Sequence, residues 1–264
     1  MITSNSNQQM KNLALLMKKA KARNEQGVFV VEGRKMFQEV PPQWLLQVYV
    51  SETFLAENAA LLENCAYEVV SDSVFKSVSD TQTPQGILCL VKKPEYTLEQ
   101  LLCKEKTHLL ILESIQDPGN LGTMLRTGEG AGITGVIMNQ TTVDLFNPKT
   151  IRSTMGSIYR MPFFVTKDLA ETVKELKKEG VKTYAAHLKG ELQYDEPDYT
   201  DATAFMIGNE GNGLSDEIAN MADTYIKIPM CGQVESLNAA ISASLLMYET
   251  NRQRRNTEKK NARG

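Results

Sequence analysis

Three glycine-bearing loops hold most of the residues in this chain whose types suit chemistry. FMIGNEGNGLS, at 205–215, carries Asn209, Glu210 and Asn212; DPGNLGTMLRTGEGAG, at 117–132, carries Asn120 and Arg126; IPMCGQVESLN, at 228–238, carries Ser236 and Asn238. Amides, carboxylates and hydroxyls beside glycine are also what turns and helix caps use, and any one loop is explained that way. Three such loops, each at the exit of an apolar run that reads as a strand, imply a shared pocket for a small molecule. In an open α/β sheet that pocket lies beyond the carboxyl ends of the strands.

Dehydrogenase, NTPase and hydrolase chemistry each call for motifs that this chain lacks. Gly208, Gly211 and Gly213 give G-x-x-G-x-G, not the dinucleotide fingerprint G-x-G-x-x-G, and no phosphate-loop sequence is present. The G-x-S-x-G elbow of hydrolases is missing. The two histidines, His108 and His187, sit at the ends of apolar runs, so a histidine-dependent nucleophile is disfavoured. Cys65, Cys89, Cys103 and Cys231 are scattered with no CxxC pair, which implies reduced thiols and no metal site.

The elements that must position these loops follow from periodicity. Residues 1–10 read as disordered and 12–22 as an amphipathic helix with lysines on its outer face. VFVVEG, LLQVYVS, YEVVS and GILCLVKK read as short strands, with helices near Met36, over 58–64 and over 72–78. Residues 1–95 thus form a small α/β unit, 96–107 a linker, and 108–264 a second unit in which strands and helices alternate. That alternation implies a mostly parallel sheet covered on both faces. Asp168 and Gly180 read as the caps of the helix between them.

With 264 residues, 42% hydrophobic and 23% charged, the chain has ordinary globular composition. No run suits a membrane span or a signal peptide, so a cytoplasmic protein is expected. The net charge of −3 excludes a uniformly basic surface. Cations still cluster locally, at Lys11, Lys18, Lys19, Lys21, Arg23, Arg34 and Lys35, and again at Arg252, Arg254, Arg255, Lys259, Lys260 and Arg263. The second cluster reads as a disordered tail.

The three loops, in this order and at these separations, resemble the signature motifs of the SpoU (TrmH-type) RNA ribose 2′-O-methyltransferases of the SPOUT superfamily. KARNEQGVFVVEGRKMFQEV, with TQTPQGILCLV later, is similar to the L30e-like RNA-binding domain that precedes the catalytic domain in larger members. The resemblance implies an α/β catalytic domain with a C-terminal trefoil knot, S-adenosylmethionine as cofactor, and a homodimer. Carried over by motif position, the cofactor would meet Met206, Ile207, Gly208, Asn209, Glu210, Gly211, Ile228, Pro229, Met230, Leu237 and Asn238. The catalytic group would be Asn120, Arg126, Glu210, Ser236 and Asn238, with no metal.

The resemblance makes Arg126 a proton acceptor, but a guanidinium stays protonated. Stabilising a developing alkoxide, with the proton leaving elsewhere, suits it better. Lys18, Lys19, Lys21, Arg23 and Arg34 would neutralise RNA phosphates. Ribosomal RNA ranks first as substrate and transfer RNA second. A non-catalytic RNA-binding or ribosome-assembly factor that keeps the domain as a dimer platform stays open. Ile241, Leu245, Leu246 and Tyr248 on the last helix suit either internal packing or a second copy.

Overall fold

Short strands and helices alternate from the first residues of the computed structural model, which describes residues 1–103 and 106–261. Helices α1 (Gln8–Lys18) and α2 (Ala20–Gln26) precede strand β1 (Val28–Glu32), with Gly27 closing α2 at φ 64°. Then come α3 (Arg34–Glu39), β2 (Leu45–Ser51), α4 (Glu52–Asn58), β3 (Tyr67–Val70), α5 (Asp72–Val78) and β4 (Ile87–Lys92). They make a four-stranded sheet of order β1-β4-β2-β3, in which β4 runs antiparallel to both neighbours and β2 and β3 are parallel. Leu13, Leu16 and Met17 of α1 pack with Val30, Val70 and Phe75 in its core.

The second sheet follows α6 (Leu98–Leu101). Its elements are β5 (His108–Leu112), α7 (Pro118–Ala131), β6 (Gly135–Asn139), α8 (Pro148–Thr154), β7 (Phe163–Thr166), α9 (Leu169–Lys178) and β8 (Lys182–Ala186). They continue through β9 (Leu192–Gln193), β10 (Thr203–Ile207), α10 (Asp216–Ala219), β11 (Thr224–Lys227) and α11 (Ala239–Asn261). The strand order is β7-β6-β5-β10-β8-β11-β9, and every pairing is parallel. β5 and β10 are buried at every position, as strands covered on both faces must be. Because β10 enters between β5 and β8, the sheet turns in opposite directions on either side of the β5–β10 pair. That pair marks the topological switch point where such sheets bind ligands.

Two compact units result: Met1–Pro94 with Asp144–Tyr159, and Glu95–Val143 with the chain from Arg160 onward. Residues 144–159, including α8, therefore pack with the first sheet although the sequence places them amid the second. Phe146 meets the Phe29 ring at 4.8 Å, and the Tyr159 hydroxyl donates to the Met36 carbonyl at 3.0 Å.

Several expectations are corrected. The first ten residues are ordered, because Ile2 is apolar in a polar stretch and joins the core. Its N–H donates to the Val69 carbonyl at 2.7 Å and its carbonyl accepts from Ser71 at 2.9 Å. Within the expected tail, α11 runs on to Asn261. Half-buried Arg254 on it donates to the carbonyls of Lys106, Thr107, Tyr199 and Asp201. Arg263 lies outside the described residues.

Arg23, expected to meet phosphate, is 3% exposed. Its guanidinium pairs with the Asp144 carboxylate and donates to the carbonyls of Leu16 and Met17. It lies on the buried face of α2, so its charge is satisfied within the first unit. Lys18, Lys19, Lys21 and Arg34 are exposed.

Removing one partner of a buried ion pair strands the other charge, at a cost of about 3–5 kcal/mol. Asp144→Ala is expected to lower the stability of the first unit by roughly 3 kcal/mol, since Asp144 keeps some solvent contact. The double variant Arg23→Met/Asp144→Leu should recover most of that loss. Denaturant unfolding checks both, and a single variant within about 0.5 kcal/mol of the parent would contradict the assignment.

Candidate active site

Glu210 stands in the loop that leaves β10, and its carboxylate is claimed by the loop that leaves β5. One oxygen accepts from the main-chain N–H of Gln116 at 3.0 Å. The other accepts from the Asp117 N–H and from the Asn120 side-chain amide, each at 3.0 Å. Asn120 in turn accepts from the Asn238 amide at 3.0 Å. Asn238 caps α11, its side-chain oxygen accepting from Ala240 at 2.9 Å and Ile241 at 3.3 Å. One unbroken relay, Glu210–Asn120–Asn238, thus ties together the three polar loops.

Local rules explain how each loop delivers its member. Asp117 is the N-cap of α7, accepting from the Asn120 N–H at 2.9 Å, with Pro118 in the first turn where its missing N–H costs nothing. Asn209 shapes the β10 loop. Its side-chain oxygen accepts from Gly211 at 2.9 Å and Asn212 at 3.1 Å, and its amide donates to the Ser114 carbonyl at 2.9 Å. Gly208 is obligatory for a simpler reason. A Cβ there would lie 2.0 Å from the main chain of Gly213 and Leu214, where nothing can yield.

Burial pushes the Glu210 carboxyl upward. The hydrogen bonds from Asn120, Gln116 and Asp117 outweigh that effect and bring it below the usual carboxylate range. Glu210 is therefore an ionised anchor accepting three hydrogen bonds, and a poor proton acceptor. His108 opens β5 at the opposite end of the sheet. Burial, and secondarily the charge of Arg254, push its imidazole down to about 3, so it stays neutral. His187 accepts from the Lys189 N–H through Nδ1 at 3.1 Å and stacks on Tyr225.

The remaining expected residues divide. Met206 and Ile207 are buried in β10, so only their main chain can serve a ligand. Arg126 is exposed on α7 and has no hydrogen-bond or ion-pair partner among the described residues. Ser236 is exposed and likewise unbonded. Among the described residues, no hydrogen bond outside the strand ladders engages the main chain or side chains of 228–237, the stretch holding Ile228, Pro229, Met230 and Leu237. The main-chain N–H and C=O groups of this stretch thus have no protein partners outside the strand ladders among the described residues.

The sequence reading missed the brace behind the relay. Ser114 sits at φ 58°, its N–H donating to Asn139 at 2.9 Å, and the Glu113 carboxylate accepts from the N–H and hydroxyl of Ser215 at 2.8 and 2.7 Å. The signal for it was an acidic residue directly after the apolar run of 109–112. No group of residues suited to holding a metal occurs among the described residues, and no described helix is long and apolar enough to cross a membrane.

Comparison with known proteins gives the site its context. A model described as the SpoU rRNA Methylase family matches residues 107–248, and one described as an MRM3-like substrate binding domain matches 7–89. The chain is 36% identical to the 23S rRNA (guanosine(2553)-2′-O)-methyltransferase RlmP of Bacillus subtilis, over 94% of this chain and 97% of that protein. A crystal structure of an RNA 2′-O ribose methyltransferase is 32% identical with a TM-score of 0.81, covering 96% of this chain and 98% of that one. An AdoMet-bound rRNA methyltransferase from Sinorhizobium meliloti is 27% identical with a TM-score of 0.81, over 95% and 97% of the two chains.

A carboxyl held below its ordinary pKa stabilises the fold above the unfolded value, about 4.3 for glutamate. That contribution is lost as pH falls through the folded value. Glu210→Gln, which keeps the shape but sets an amide against main-chain N–H groups, is expected to cost on the order of 1–2 kcal/mol at pH 7. Parent and variant should converge as pH falls through the folded-state value, below the ordinary glutamate range. Urea titrations across pH check this, and a gap that widened in acid would refute the anchoring role.

Proposed function

Because the chain belongs to the SpoU rRNA methylase family, we propose that it transfers a methyl group from S-adenosylmethionine to a ribose 2′-hydroxyl of ribosomal RNA. The observation that carries this reading is the relay from Glu210 through Asn120 to Asn238, with Arg126 on the same helix as Asn120 and the loop 228–237 leading into Asn238, both without hydrogen-bond partners outside the strand ladders among the described residues. Gly208, Asn209, Gly211 and the main chain of 206–207, 228–230 and 237 are the groups that would hold the cofactor. The close approach at Gly208 and the free main-chain groups of the second loop fit such a ligand. Bound there, S-adenosylmethionine supplies a methyl group already activated by the sulfonium charge.

The protein's task is then alignment. Glu210 holds Asn120 in one orientation, and Asn120 holds Asn238, so the loops that flank the hydroxyl keep a fixed spacing. Arg126 contributes a permanent positive charge and a planar donor fork, which stabilise negative charge on the 2′-oxygen as its proton leaves. Ser236 stands free to donate to, or accept from, the ribose. The exposed cations Lys18, Lys19, Lys21 and Arg34 grip the RNA backbone.

This reading extends to a trefoil-knotted C-terminal segment, which rests on the family to which the chain belongs. It also takes the protein as a cytoplasmic homodimer. Ile241 and Tyr248, 50% and 47% exposed on α11, support a second copy there, whereas Leu246 is fully buried.

The test is transfer of labelled methyl from S-adenosylmethionine to unmodified ribosomal RNA and, separately, transfer RNA, followed by digestion to nucleosides. Label is expected in a 2′-O-methylated nucleoside from the ribosomal pool, and a guanosine of 23S RNA is the first to assay, given the Bacillus relative's name. Label on a base would overturn the chemistry, and label in transfer RNA alone would overturn the substrate. Arg126→Ala should lower kcat by about 10²–10³-fold with cofactor affinity unchanged. Unaltered turnover would remove Arg126 from the mechanism.

A further inference from the structure

Away from the relay, the first unit contains a recess of about 510 Å³, within the range of small-ligand sites. Its position follows from the four-stranded sheet. β1, β2 and β3 all run in one direction and β4 runs against them. The carboxyl ends of three strands and the amino end of the fourth therefore share one edge. Each contributes to the recess: Arg34 follows β1, Thr53 and Glu57 follow β2, Asp72 and Lys76 follow β3, and Gln85 precedes β4. The buried rings of Phe54 and Phe75 form its floor.

The walls are held in place from within. Thr53 donates to Asp72 from its N–H at 3.2 Å and from its hydroxyl at 2.8 Å, joining the starts of α4 and α5. Those bonds, the hydroxyl's first, hold the Asp72 carboxyl below its ordinary range. The Gln85 side-chain oxygen accepts from the Arg34 N–H at 3.0 Å. Gly86, at φ 80°, brings the chain so close that a Cβ would stand 2.7 Å from that of Phe54. By contrast, the Arg34 guanidinium, the Lys76 ammonium and the Glu57 carboxylate have no partners among the described residues and are exposed.

Two free cations and a free carboxylate at the rim of an apolar-floored recess match the parts of a nucleotide. Arginine and lysine meet phosphate. A carboxylate only accepts, so it selects a base edge rich in N–H donors, and guanine presents two side by side. Single-stranded RNA is read in this way, through bases splayed out of the stack. We propose that this recess takes one unstacked nucleotide of the RNA substrate, a guanosine by preference, with Arg34 and Lys76 on its phosphate and Glu57 on its base edge. The inference rests on RNA being the substrate, and it adds a specific subsite to the general phosphate grip.

Glu57→Gln discriminates. If the recess were only part of a charged surface, removing a carboxylate would leave binding of an unmodified 23S ribosomal RNA transcript unchanged or make it tighter. A base-reading Glu57 makes binding several-fold weaker instead. Arg34→Ala/Lys76→Ala should weaken binding at least tenfold and reduce the log–log salt slope by about 0.7, the value for one phosphate neutralised on a single strand. Arg34→Lys/Lys76→Arg should restore the slope. Thermal melts and S-adenosylmethionine affinity should match the parent in all variants.

Unchanged or tighter binding by Glu57→Gln, or an unaltered salt slope in the double alanine variant, would overturn the subsite. These are equilibrium binding measurements that need no turnover. Failure of methyl transfer in the parent would count against the proposed reaction and leave this result standing on its own.

Discussion

A single carboxylate, that of Glu210, organises the second unit's functional end. Three N–H donors from the β5 loop converge on it. Of those donors, the Asp117 N–H belongs to the N-cap of α7, where helix N–H groups have no intrahelical partners, and the Gln116 N–H lies one residue before it. A negative charge is favourable there for the helix dipole as well. Glu210 thus acts as an external cap on a helix far from it in sequence, and the cap fixes Asn120. Asn120 carries the constraint on to Asn238 and to the start of α11. Without the insertion of β10 beside β5, none of these groups would meet.

Most polar side chains at this end hold the loops in place. Asn209, Asp117, Glu113 and Asn139 all complete main-chain hydrogen bonds of neighbouring segments. This suits a reaction whose electrophile arrives ready-made, since alignment is then the larger part of the barrier the protein must lower. Among the described residues at this end, Arg126, Ser236 and the main chain of 228–237 are left without hydrogen-bond partners outside the strand ladders. The division between bonded scaffold and unbonded contact groups is sharp.

The first unit repeats the logic on a smaller scale. Its recess also lies at the carboxyl ends of parallel strands, and it too is framed by bonded side chains with a few free charges at the rim. Its interior charge is treated differently: Arg23 is buried against Asp144 and two carbonyls, leaving the surface to Lys18, Lys19, Lys21 and Arg34. A charge count along the chain treats these five cations alike, because it cannot see which face of α2 turns inward.

Local sequence pattern alone determined the alternation of strands and helices, the parallel character of the second sheet, the cap at Asp168, and the three glycine-bearing loops. These are local properties, set by backbone preferences and by which residues can be buried. The residues of the relay were legible for the same reason, since an amide or carboxylate beside glycine at a strand exit is visible in a few letters. Their connection to each other was not. Tertiary structure decided that Glu210 faces Asn120 across 90 positions, that Ile2 completes a core, and that residues 144–159 join the first sheet. Each of those outcomes depends on which strand enters beside which, and strand order is fixed by packing over the whole chain rather than by any stretch of it.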